Sequence, residues 1–433
     1  MAEERILTSS EIEAKRYMQN LLTGAFCKPC DIGAGNDCSA ILPDWYDEVK
    51  FKRGQKYFLD NRFGMLLSNL YGLYTLLADP KGLDVLDSTG KSSTADTAKK
   101  RYVSTIVNML MWYKDDLHPN SKSWKSLLRV RKMHFSASNS AFKKEIGLIT
   151  QFEICITTFG FIGFAILRPQ FLGIRCNDTE GREGFIHFWA VIGHMLGVED
   201  EFNMCLFNVE TVEKICLILL RYVFIPLIQL ETPKFKGMME SLVTGLSSFL
   251  PHMSYNVQMF MVKRIIGVPG YQYCVDLAKE KICPQMFTSE EINAVKEIVR
   301  PKVGKYMELY EIVFHDAVPI LASQINGSVC HNRTINCVEV GDKKFNWIMR
   351  RAGIDSWKIH LNDSKLYTLS KWEQITVRWY CLILTIYKNR VGRCILEMAL
   401  NFILSRIQRH YDSHNIKLSR VEIAEGPKKN SET

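Results

Sequence analysis

Residues 63–82 read FGMLLSNLYGLYTLLADPKG. Phe63, Leu66, Leu70, Leu73 and Leu77 recur at steps of three and four, the period of one buried helix face. Asp79-Pro80 and Gly82 then end the run, because proline lacks the N–H of the next turn and crowds the one before it. The same pattern of amphipathic run, breaker and new cap extends in both directions from this stretch.

Upstream, Ser10 and Glu13 have capping-box spacing ahead of Tyr17, Met18, Leu21 and Leu22. Downstream, Thr94 or Asp96 can cap a helix that turns Ala98, Tyr102, Ile106, Met109 and Tyr113 inward. A further helix starts near Ser123, and Thr150-Gln-Phe-Glu153 opens an apolar helix that must end near Pro169. Residues 181–196 read as helix stopped by Gly197. Segments 209–230, 233–249 and 255–266 follow, with Thr232-Pro233 as an N-cap and N1 pair. Thr288-Ser-Glu-Glu291 and Ser370-Lys-Trp-Glu373 open two more helices. The stretch 26–45 is a loop rich in Cys, Gly and Pro, and 323–368 suits irregular structure or a short hairpin. With no long linker and no internal repeat, the pattern predicts an all-α chain folded as one large helical domain.

Composition narrows the function. The chain has 433 residues, 47% of them hydrophobic, enough to bury a large core. The net charge of +9 is dispersed, and no zinc-finger spacing, RRM signature or basic arm accompanies it, which argues against nucleic-acid binding. Thirteen cysteines, an odd number set in apolar segments, suit reduced thiols better than a disulfide framework. The start MAEERILTSS lacks the apolar core of a signal peptide, so an intracellular protein is expected. The apolar run 152–167 is too short to span a bilayer, and 215–230 and 379–404 are interrupted by charges or proline. A surface-lying amphipathic helix near the carboxyl end, in peripheral membrane contact, stays open.

Three constellations carry chemistry. Arg101 and Thr105, four residues apart, share a helix face beside the apolar stripe, where a guanidinium must meet an anion or carbonyls. In RVRKMHFSASN, positions 127, 131, 134 and 138 share a side, placing Arg131 and His134 inward with Leu127. An inward histidine is either a satisfied core residue or a ligand. A neutral imidazole on a rigid helix suits haem iron, and nearby arginines suit the propionates. His187 and His194 share a face without the His-Glu-x-x-His spacing, which leaves packing or a metal-dependent hydrolase as readings. Cys27-Lys-Pro-Cys30 with Cys38 suggests a redox pair or zinc, but the strand and helix of a thioredoxin motif are not evident and a second Cys/His pair at metal spacing is missing.

Taken in order, LYGLYTLLADPKGLDVLDSTGK, KKRYVSTIVNML, RVRKMHFSASNS, TQFEICITTFGFIGFAI and HFWAVIGHMLGVEDEFN resemble the latex-clearing rubber oxygenases and the ER-bound oxygenase MpaB. The resemblance runs from about Phe63 to about Gly267. It implies a globin-like, haem b-binding helical core within residues 51–270. An N-terminal helix and loop would precede it in 1–50, a C-terminal helical extension packed on the core would follow in 271–423, and 424–433 would be a disordered tail. It further implies His134 as the proximal iron ligand, with Arg101, Thr105 and Arg131 around the cofactor. A family lysine just before the threonine is here Ser104, and the carboxylates nearest the family's catalytic glutamate are Asp84 and Asp87. The implied activity is a haem-dependent oxygenase using dioxygen on an apolar, isoprenoid or lipid-like substrate, in the cytoplasm or peripherally on the ER membrane. The competing readings are a non-catalytic lipid- or protein-binding member that has lost the cofactor, and the histidine-based hydrolase.

Overall fold

The computed structural model describes residues 6–31, 41–250, 252–268, 271, 287–303, 306 and 363–425. Among them every regular element is a helix, and one isolated bridge, Pro29 to Thr150, is the sole extended pairing. The irregular structure or short hairpin expected of 323–368 lies mostly outside the described residues; the last residues form a single turn, Asp363–Leu366. Helix α1 (Ser9–Thr23) is capped by Thr8 and Glu11, two residues earlier than the expected box. Glu13 instead accepts a hydrogen bond from the Thr211 hydroxyl at 2.8 Å, which frees it from any capping role.

Two helix crossings organise the core. Helix α2 (Glu48–Asp60) and α3 (Arg62–Leu76) are joined at Asn61, whose amide donates to Tyr57 O and whose carbonyl accepts from Arg175 N–H. Then come α4 (Pro80–Ser88), α5 (Ala95–Lys114), α6 (Lys122–Lys143), α7 (Gln151–Leu167) and α8 (Thr179–Met195). The most extensive contacts are α2 with α8 and α3 with α7. Both pairs meet through facing glycines. A Cβ on Gly54 would lie 2.2 Å from Gly184 O, and one on Gly72 would lie 1.9 Å from Gly160 O. Only bare backbone allows that approach.

This corrects the leucine stripe. The side of α3 that packs tightly is Gly64, Met65, Ser68, Tyr71, Gly72 and Thr75, while Leu66, Leu70 and Leu73 stay half-buried on the opposite side. Close helix approach selects small residues over large ones.

Helix α7, opened by the Thr150–Glu153 box, is buried over most of its length, with Phe159 and Phe164 fully enclosed. Aromatic stacking ties α2, α5 and α8 together: Phe58 on Tyr113 at 3.6 Å and Tyr113 on Phe188 at 4.3 Å. Helix α9 (Val209–Leu219) widens into a π-turn at Leu220–Phe224 before α10 (Ile225–Leu230). Pro226 explains the widening, since it cannot donate to Tyr222 and its ring crowds that carbonyl. Next come α11 (Pro233–Leu246), α12 (Tyr255–Ile266) closed by Gly267 at φ 88°, and α13 (Ser289–Val303). Helices α14 (Lys371–Tyr387) and α15 (Arg390–Glu425) form a hairpin attached by the Arg62–Glu397 ion pair at 2.8 Å. Among the described residues, no helix is long and apolar enough to cross a membrane.

Candidate functional site

Helix α6 starts from the Ser121 cap and seats Leu127, fully buried, and Ser138 on its inner side. Arg131 and His134 lie between them on that side, as their spacing predicts. The His134 imidazole is enclosed by protein, while the residue as a whole is only partly buried. Its Nδ1 is sealed from solvent without an acceptor, and among the described residues neither ring nitrogen has a hydrogen-bond partner. Nε2 is not sealed in this way, which makes it the nitrogen a ligand can reach. Burial, with help from the Arg101 guanidinium, pushes His134 down to about 4, against a smaller opposing pull from Asp31.

Arg101, on α5, donates through Nη1 to the hydroxyls of Thr89 at 3.1 Å and Ser92 at 3.0 Å. Both acceptors are neutral. Among the described residues no carboxylate lies within ion-pair distance of it, and burial holds its guanidinium below the usual arginine range. A largely buried cation beside an unpartnered imidazole is an arrangement that an anion would complete.

Arg131 differs. Its Nε and Nη2 grip the two carboxylate oxygens of buried Asp31, each at 2.7 Å, so it carries an anion from the protein itself. Asp31 follows Cys30, whose N–H donates to Ile149 O, and Gln151 Nε2 donates to Cys30 O and Gly197 O. Gly197 takes φ 99° to end α8, and a Cβ there would stand 3.3 Å from Asp31 Cγ. Sequence reasoning missed Asp31. An inward arginine signalled that some anion was needed, but a partner 100 positions away in a loop has no spacing to betray it.

Thr105 is not core-facing. It is exposed, and its hydroxyl donates back to Arg101 O at 3.1 Å, because a four-residue step on α5 carries a short side chain outside the interior that the long arginine reaches. Asn108, one turn on, is the buried polar anchor: it accepts from Ser126 Oγ at 2.8 Å and Arg129 Nη2 at 2.6 Å, and donates to Ser104 O. Trp112 Nε1 donates to that same Ser126 hydroxyl, so α5 and α6 are locked in register.

Asp87 is bound elsewhere. Its carboxylate meets Lys234 at 2.9 Å, which also pairs with Asp84 at 2.6 Å, tying α4 to α11. Among the described residues no hydrogen bond or ion pair joins Asp87 to Arg101 or His134.

The other sequence candidates resolve as packing. His187 Nε2 accepts from Asp47 N–H at 3.1 Å, His194 Nδ1 meets Asp200 Oδ1 at 3.2 Å, and Trp45 stands edge-on to both rings. Among the described residues no group of three or more His, Cys, Asp or Glu side chains could hold a metal ion. Burial pushes the Cys30 thiol up to about 11, which makes it a poor nucleophile. Cys38 lies outside the described residues, as does the side chain of Cys27. Among the described residues Cys30, Cys155, Cys205 and Cys216 are buried and lie in no disulfide.

Apolar residues with partly open surfaces occur on α3 (Leu66, Leu70, Leu73), α5 (Ile106) and α7 (Ile154, Phe161). Asn69 on α3 donates its side-chain amide to Phe161 O on α7 at 2.9 Å, which ties two of these helices together.

Comparison with known proteins finds a rubber oxygenase of Streptomyces sp. (strain K30), 25% identical over 188 residues, or 40% of this chain and 44% of that protein. The match spans less than half of the relative's length. It falls among the rubber oxygenases, which the sequence motifs resemble. A solved structure of a latex clearing protein in the closed state aligns with 73% of this chain and 85% of that one, at TM-score 0.42 and 15% identity. No family model matches.

Proposed function

We propose that the chain is a haem b-dependent oxygenase acting on an apolar, isoprenoid substrate of the kind named by its rubber oxygenase relative. One observation carries the reading: His134, with no hydrogen-bond partner on either ring nitrogen, stands beside Arg101, a largely buried cation without a carboxylate. These residues fit the group. Nε2 of His134 would hold the iron, and Arg101 would face a propionate, replacing neutral hydroxyl partners with an anion. Haem would supply the redox-active iron at which dioxygen reacts.

The chain's own contributions are binding, charge and exclusion of water. Burial and Arg101 keep the imidazole neutral down to about pH 4, so its lone pair is available to a metal throughout the physiological range. Arg131, already neutralised by Asp31, acts as a positioning residue that fixes α6 against the loop at Cys30–Asp31. Residues 51–270 would form the oxygenase core, and the open apolar surfaces of α3, α5 and α7 would receive the substrate. Ser104 cannot serve as the iron-reaching lysine of some family members, and Asp87 is tied to Lys234 where a catalytic glutamate would be wanted.

That last point favours one rival, a member that keeps the fold and binds a lipid or protein without catalysis. The absorption spectrum separates the two. Protein expressed with ample haem should show a Soret band that His134→Ala abolishes and Arg101→Gln weakens. Wild-type protein that stays haem-free under the same conditions would refute the oxygenase reading.

A further inference from the structure

The α14–α15 hairpin turns one side to the protein and leaves the other bare. Val377, Cys381 and Leu384 of α14, at four- and three-residue steps, are buried, as are Leu400 and Ile407 of α15. On the outer side Trp372, Ile375 and Trp379 are exposed along α14, with Trp372 at 79%. Along α15, Val391, Ile395, Met398 and Phe402 follow an unbroken helical stripe and are 55–73% exposed. The two helices touch where Gly392 meets Ile386, beside the connecting turn. Single exposed apolar side chains need no explanation, but two tryptophans and a four-residue stripe on one hairpin do.

Charge indicates what covers this surface. The α15 stripe continues, at the same spacing, as exposed Arg406 and Arg409, and its other end is flanked by exposed Arg390. Exposed Lys371 precedes Trp372. Two of the acidic residues are engaged elsewhere, and a third, exposed Asp412, accepts from Gln408. Glu373 accepts from Ser254, Asn256 and Ser370, and Glu397 is held by Arg62 and Tyr387. An apolar band ending in cations at both ends fits the boundary of an anionic bilayer, where indole rings settle at headgroup depth and Lys and Arg reach the phosphates. A second copy of the same face fits badly. Parallel or antiparallel, like-charged ends would meet.

We propose that this hairpin docks the protein peripherally on anionic phospholipid membranes, with Trp372, Trp379, Met398 and Phe402 inserted and the terminal cations on the headgroups. The docking needs no cofactor, so it stands or falls independently of the oxygenase reading.

The test is flotation of the full-length protein with phosphatidylcholine vesicles, with and without phosphatidylserine. The wild type should float with the anionic vesicles, less with the neutral ones, and less again in high salt. Met398→Asp/Phe402→Asp and Trp372→Ala/Trp379→Ala should each weaken partitioning on the order of tenfold or more. Their thermal unfolding should match wild type, because the replaced side chains are exposed. Arg406→Glu/Arg409→Glu should remove the preference for anionic lipid. The proposal is overturned if wild-type protein fails to float with anionic vesicles, or if the apolar variants float like wild type. It is equally overturned if light scattering shows a dimer that Met398→Asp/Phe402→Asp converts to a monomer while vesicle binding is nil.

Discussion

An acid titration of the haem-free protein against its His134→Gln variant isolates the histidine from every other titrating group, since shared contributions cancel in the difference. In the folded protein His134 takes a proton only near pH 4, while in the unfolded chain it does so near its ordinary 6.5. Between those values the unfolded chain binds a proton that the folded one refuses, so acidification favours unfolding. The effect is absent above about pH 6.5 and complete below about pH 4. At about 1.4 kcal/mol per pH unit across that interval, it removes up to about 3 kcal/mol of stability. Glutamine cannot titrate, so the variant should escape this loss. Urea unfolding followed by circular dichroism, repeated from about pH 7.5 to about pH 4, gives the difference curve. It should be flat at neutral pH and then tilt in favour of the variant as the pH falls. A flat difference throughout, or a His134 resonance titrating at or above 6.5, would show that the ring is not held in the environment described, and the case for a poised neutral ligand would fail with it.

Arg101→Gln should raise the pKa of His134, because the guanidinium opposes its protonation, and should weaken haemin binding about tenfold; proton NMR and a haemin titration read the two effects. Asp31→Asn should cost about 3 kcal/mol in chemical unfolding by stripping Arg131 of its buried counter-ion, and a loss below about 1 kcal/mol would show that the pair is not structural. Gly72→Ala should destabilise by more than about 3 kcal/mol or prevent folding, since its methyl would fall on Gly160 O. Gly237→Ala on the open side of α11 is the control, and should stabilise by about 0.5–1 kcal/mol.

Much of the helical plan was legible because its signals are local. The Thr150–Glu153 and Ser370–Glu373 boxes, the Thr232-Pro233 pair and Gly197 sit where their chemistry predicts. Thr8 and Ser10 each begin a hydroxyl-x-x-Glu spacing, and the choice between them is tertiary, because Glu13 is taken by Thr211 and Glu11 faces Lys214. The face of α3 was misread because periodicity weights large residues, whereas the crossing at Gly160 needs the smallest. At the site, the inward turn of His134 and Arg131 follows from three- and four-residue steps on one helix. What those steps cannot supply is partnership. Asp31 for Arg131, Lys234 for Asp87, and Thr89 with Ser92 for Arg101 are settled by how loops and helices return through space.

The facing glycines of the two main crossings bear on how the molecule yields. At most helix contacts the side chains act as springs, absorbing small displacements by changing rotamer. Where Gly54 meets Gly184 and Gly72 meets Gly160 there are no such springs, only backbone against backbone. Because α2 and α3 join at Asn61, both crossings belong to one bent rod, pinned at two points along its length. A rod held that way neither slides nor rolls without lifting off both pins together. Any breathing that admits a bulky guest must therefore come from compliant parts such as Leu66, Leu70 and Leu73, on the far side of the rod, while its axis stays put.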